Sequence, residues 1–164
     1  MASMKGALAK AKRVALREKV FPQSQDLVYT PDKGWRQLPR TIPLIMTLIS
    51  SLAPKGKRDG AARVYLELWF RDYGEGCVEL TDPDVHAFAA GYTTAGHGPR
   101  SWRECIDVLA ALGFIKIEPK GSRSHGYALL FDPDKVVEEL RAKKKVDAAW
   151  FNAYQQRKVE VGAG

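Results

Sequence analysis

Residues that fix metals or cross-links are scarce in this chain. Its 164 residues include two cysteines, Cys77 and Cys105, and three histidines, none at the spacing of a zinc site or a disulfide framework. Unpaired cysteines of this kind fit a reducing, cytoplasmic setting. Long apolar runs are missing too. No stretch approaches the roughly 20 residues of a membrane span, and the basic N-terminus is not followed by the apolar core of a secretory signal. Catalytic signatures are equally thin: His86, His97 and His125 stand apart, and there is no nucleophile elbow, catalytic carboxylate pair or dinucleotide fingerprint. A non-catalytic protein without metal or cofactor is therefore expected.

Acids are absent from Met1 to Arg17, and this absence points towards what the chain does contain. The net charge is +7 and the pI about 9.5, which favours an anionic partner: nucleic acid, acidic lipid or an acidic protein surface. Residues 1–40 hold nine Lys or Arg against three acids, while the rest of the chain is nearly balanced. Within that remainder Glu79 to Asp84 is acidic and Arg100 to Arg123 net basic, so charge is organised by segment. Residues 1–20 read as a flexible basic arm carrying Lys10, Lys12, Arg13, Arg17 and Lys19, without an apolar stripe. A mitochondrial transit peptide is the alternative for this composition.

Residues 21–40 contain Pro22, Pro31, Gly34 and Pro39, which predicts an extended segment pinned by Val28, Tyr29, Trp35 and Leu38. A domain over residues 41–133 follows. Thr41 caps a buried helix that Pro54 closes. Ala61 to Tyr73 forms another, with Val64, Tyr65, Leu68 and Trp69 inward and a solvated stripe of Arg63, Glu67 and Arg71. Cys77 to Leu80 is a short strand, and Thr81 or Asp82 caps a short helix through Val85, Phe88 and Ala89. Ser101 and Glu104 sit at capping-box spacing, which starts the next helix at Ser101; Gly113 stops it. The alternation from Phe114 to Glu118 and from Tyr127 to Phe131 predicts two strands joined by a loop. A C-terminal helix over residues 134–158 and a disordered tail over 159–164 complete the chain. The expected class is mainly α with a small antiparallel sheet, α+β.

The Ser101 helix carries the most chemistry. Trp102, Ile106 and Leu109 fall on its core side, leaving Arg100, Ser101, Arg103 and Asp107 outward. A helix fits the major groove, and an arginine fork matches the paired acceptors of guanine, so Arg103 is the base-reading candidate. Arg100 and Ser101, at the helix start, suit phosphate. The segment Lys120-Gly121-Ser122-Arg123-Ser124-His125-Gly126 combines flexible residues with donors and cations, a composition suited to a phosphate backbone; an ordinary turn has the same glycine and serine. Thr93, Thr94 and His97 lie in a connector longer than the usual three or four residues, either on phosphates or in a simple loop. Trp150, Phe151 and Tyr154 lie beyond the apparent core and suggest a homodimer contact; the alternative is that they fold back on the Thr41 helix.

From Ala61 to Pro133 the order helix, strand, helix, turn, helix, strand, hairpin, strand resembles the winged helix-turn-helix superfamily, with Trp102 to Ile117 the closest segment. Gly34-Trp35-Arg36-Gln37-Leu38-Pro39-Arg40-Thr41-Ile42-Pro43-Leu44-Ile45 and Leu66-Glu67-Leu68-Trp69 are similar to small proteins of bacterial plasmids and integrative elements. The resemblance implies transcription regulation, partition or replication control of a mobile element; the expected activity is sequence-specific duplex DNA binding in a bacterial cytoplasm, at the nucleoid or a plasmid, by a dimer that the C-terminal aromatics and two-fold DNA sites suggest. The resemblance also places Arg100, Ser101 and Arg103 in the groove and Lys120, Arg123 and His125 on the wing. A winged helix that meets another protein is the main alternative, and RNA binding a third.

Overall fold

The computed structural model describes residues 4–28, 34, 37–93 and 97–162. The expectations for Tyr29, Trp35 and Thr94, and for the last two residues of the tail, lie outside them. The chain divides into two units, Met1–Trp35 and Arg36–Gly164. Among the described residues no helix is long and apolar enough to cross a membrane.

The first unit contains helix α1, Met4–Val20, where a flexible arm was expected. Its Ala, Lys, Leu and Arg residues are strong helix formers, and no residue of it is buried. Among the described residues of the segment expected to be extended, the chain makes a 3-10 turn at Gln25–Leu27, and Val28, in extended backbone, is exposed.

The second unit is mainly helical around a small antiparallel sheet. It comprises α2 (Ile42–Leu52), α3 (Arg58–Arg71), β1 (Cys77–Glu79), α4 (Pro83–Ala89), α5 (Gly98–Leu112), β2 (Ile115–Lys120), β3 (Arg123–Leu130), α6 (Pro133–Ala142) and α7 (Ala148–Glu160). Local chemistry sets the boundaries. Pro43 starts α2, and Pro54 forces the preceding Ala53 into extended backbone. The Asp82, Asp132 and Asp147 carboxylates accept from free amides at the starts of α4, α6 and α7. Gly113 ends α5 in the left-handed conformation, φ 89°. Buried Asp72 closes the α3–β1 turn by accepting from the amides of Gly74 (3.1 Å) and Gly76 (2.8 Å).

The sheet order is β1-β3-β2, with Val78 opposite Ala128 and Ile117 opposite the same residue from the other side. Its inner face, together with α2, α3, α5 and α6, encloses Ile45, Ile49, Tyr65, Leu68, Trp102, Leu109, Phe114 and Val137. Two helix starts differ from the sequence reading. Helix α3 begins at Arg58 because the loop after Pro54 is only one turn long. Helix α5 begins at Gly98, so Ser101 lies within it and no Ser101–Glu104 capping box forms. Pro99 supplies the start instead, its fixed φ suiting the first turn.

The C-terminal helix breaks at Lys143–Asp147, where Lys144 takes φ 57°. The break turns α7 back onto α2. Tyr154 is buried, Trp150 and Phe151 are half-buried, and Trp150 Nε1 donates to the Leu44 carbonyl (2.9 Å). The Trp150 and Tyr154 rings stack at 4.9 Å, and the Arg141 guanidinium covers Phe151 at 3.9 Å. These aromatics therefore complete this chain's own core, and the exposed cluster that suggested a dimer contact does not exist. Tyr154→Ala should cost about 3 kcal/mol, read as a lower midpoint in urea unfolding.

Two phenols carry a measurable signature. Burial pushes Tyr65 up to about 12. Burial and the hydrogen bond to Cys105 (3.1 Å) push Tyr92 to about 12 as well. The folded chain thus holds both protons more tightly than the unfolded chain, whose tyrosines ionise near 10.0. The stability so contributed is complete below pH 10 and is lost as pH rises towards 12. Titration of phenolate absorbance should show Tyr65 and Tyr92 ionising last, together with alkaline unfolding; phenylalanine at either position should remove its late step.

Candidate nucleic-acid interface

The outward face of α5 and the β2–β3 hairpin meet at one place. Arg103, Ser122, Arg123, Ser124, His125 and Pro83 line a shallow cavity of about 200 Å³. Arg103 projects from the second turn of α5, is exposed, and has no ion-pair or hydrogen-bond partner among the described residues. Arg100 is also exposed, but its Nε donates to Glu104 (3.3 Å). Glu104 is shared with Lys57. The Lys57 hydrogen bond, with help from Arg100, holds the Glu104 carboxyl below its usual range. Ser101 is half-buried, and its amide donates to the His97 carbonyl (3.1 Å), as a residue inside a helix does. Thr93 and His97 are exposed in the connector, and His97 makes no side-chain cap.

The expected loop from Pro119 to Gly126 is in fact strand almost to its tip. Strands β2 and β3 extend through Lys120 and Arg123, leaving Gly121-Ser122 as the turn. A register irregularity between Glu118 and Lys120 brings the two backbones together at Gly126, where an added Cβ would collide with the Lys120 amide nitrogen. The pattern of alternating apolar residues ends at Glu118, so only the main-chain pairing, invisible to side-chain periodicity, carries the strands further.

The hairpin is tied down by its own polar groups. Arg123 Nη1 donates to the carbonyls of Thr81 (2.8 Å) and Leu80 (3.3 Å). His125 Nε2 donates to Asp107 on α5 (2.7 Å), with Ser124 Oγ 3.1 Å from the other ring nitrogen. Lys120 pairs with Glu79 of β1, and that hydrogen bond pushes the Lys120 ammonium up. Asp107 and His125 are thus each other's partners. The acceptors of Arg123 are carbonyls, so no acid of the described residues is paired with it.

Behind α5 lies a set of residues that periodicity misplaced. Glu67 was expected on a solvated stripe, yet its side chain is 8% exposed and accepts from His86 Nδ1 (3.1 and 3.2 Å) and Arg71 Nε (2.5 Å). His86 is 1% exposed and stacks on Trp102 at 5.1 Å. On α4 the buried residues are His86 and Ala87, which leaves Val85 and Phe88 exposed. A helix of seven residues is too short for periodicity to fix its phase.

On α1, Lys10, Lys12, Arg13 and Lys19 are exposed, while Arg17 is half-buried and paired with Glu18 (2.7 Å). Compared with family models, curated proteins and solved structures, the chain matches none.

Gly126→Ala should open the hairpin and cost about 2 kcal/mol. Hydrogen exchange should register this as lost protection of the β2 and β3 amides, with those of α2 and α3 unchanged.

Proposed function

We propose that residues 41–133 form a winged helix that binds duplex DNA sequence-specifically and without catalysis, α5 reading bases and the β2–β3 hairpin holding the backbone. The carrying observation is the shared cavity, where the unpartnered Arg103 meets the charged Arg123 and the hydroxyls of Ser122 and Ser124. A reading group on a helix beside donors on a hairpin is what a groove and its flanking phosphates require. The element order from α3 to β3 and the sheet order β1-β3-β2 agree with the winged-helix plan. The exposed cations of α1 supply further, sequence-independent attraction. By its resemblance to proteins of plasmids and integrative elements, the role is transcription regulation or maintenance of such an element, in a bacterial cytoplasm.

One observation favours the rival reading, a winged helix that meets another protein. Lys120 and His125 already face acids of their own chain, which leaves the hairpin less cationic than its composition suggests. Salt separates the two readings. DNA affinity should fall by roughly 0.9 log units per log unit of salt for each phosphate neutralised. Arg103→Ala should cost about 1 to 3 kcal/mol at the preferred site and flatten sequence preference. Anisotropy with duplexes selected from a random pool measures both, with RNA duplex as competitor. Wild-type binding and preference retained in Arg103→Ala would sink the assignment of α5 as reader.

A further inference from the structure

Helices α3 and α4 carry a second surface, distinct in every lining residue from the α5–hairpin cavity. A cleft of about 510 Å³ runs between them, walled by Leu66, Phe70, Ala89, Ala90 and Gly91, with Arg63 and Arg71 at its rim and the Glu67 carboxylate, already held by Arg71 and His86, in its lining. Helix α4 also presents an exposed apolar ridge, Phe88 at 68% and Val85 at 49%, and Phe70 at the cleft wall is 58% exposed; exposed apolar patches mark interaction sites.

The charges around ridge and cleft are complementary to each other. Asp84 lies one turn before Phe88 on the outward side of α4, is exposed, and has no ion-pair partner among the described residues. Arg63, at the cleft rim, has no carboxylate partner among them either; its guanidinium lies 5.8 Å over the Tyr92 ring and against Gly91. The two helices thus carry an aromatic knob with an acid one turn away and a largely apolar cleft with a guanidinium at its rim. In a two-fold contact each copy presents the same patch, so knob meets hole twice and Asp84 meets Arg63 twice.

We propose that this face binds a second copy of the chain, Phe88 of each copy entering the α3–α4 cleft of the other and Asp84 pairing with Arg63 across the interface. The contact uses neither α5 nor the hairpin and does not depend on the nucleic-acid reading. The test is sedimentation velocity of the full chain without DNA, over a concentration series. The wild type should pass from monomer to dimer. Phe88→Glu should weaken association by about a hundredfold, as loss of a central aromatic anchor does, with unchanged far-UV circular dichroism because the side chain is exposed. Arg63→Glu should weaken it by about tenfold, and Asp84→Arg in the same chain should restore it by exchanging the charges. A wild type that stays monomeric at about 100 micromolar, the range of a weak but specific contact, overturns the proposal and leaves the face to another occupant. A dimer indifferent to Phe88→Glu overturns it as well, whatever the outcome of the DNA experiments.

Discussion

A buried carboxylate organises the helical half of this fold. Removing an ionised group from water costs several kcal/mol unless partners replace the lost solvent, so Glu67 cannot lie where it does without His86 and Arg71 beside it. Both contacts are made, and each fixes something larger. Arg71 holds the carboxylate to its own helix, whereas His86 comes from α4 and carries that helix with it. The imidazole in turn lies flat on the Trp102 indole, whose burial removes on the order of 200 Å² of ring from water. Helices α3, α4 and α5 are thereby set relative to one another by one carboxylate, one imidazole and one indole.

The outward side of α5 inherits its direction from that arrangement. With Trp102 and Ile106 anchored inside, Arg103 has no choice but solvent, and Asp107 one turn later faces the hairpin. The His125–Asp107 bond then ties helix to hairpin, while Arg123 ties the hairpin to the residues just before α4. What a composition of glycine and serine suggested as a pliable loop is a pinned strand pair, pre-shaped instead of ordered on contact. Pre-shaping lowers the entropy lost when a surface engages a partner.

Much of the fold was legible where local chemistry is decisive. Asp82-Pro83, Asp132-Pro133 and Gly113 mark boundaries because cap geometry and backbone freedom depend on one or two residues. The order of elements and the core positions Trp102, Ile106 and Leu109 followed from helical spacing over fifteen residues. Legibility failed where a polar residue goes inward. Nothing in spacing distinguishes the buried Glu67 from Arg63, four positions earlier, since the difference lies in a histidine nineteen residues away. The aromatics of α7 misled for a related reason. Their partner surface is α2, and a pairing so remote leaves no periodic trace. At the candidate interface Arg103 and the hairpin line one cavity, while the acids that occupy Lys120 and His125 left no mark in the sequence.

The return of α7 to α2 also sets an order of events during synthesis. The hydrogen bond from Trp150 to Leu44 spans 106 residues, so the apolar face of α2 has to wait, half-covered, until nearly the whole second unit has been translated. A nascent chain in that interval exposes Leu44 and its neighbours. The part of α2 beneath Trp150 therefore stays open to other apolar surfaces longer than the part covered by α3.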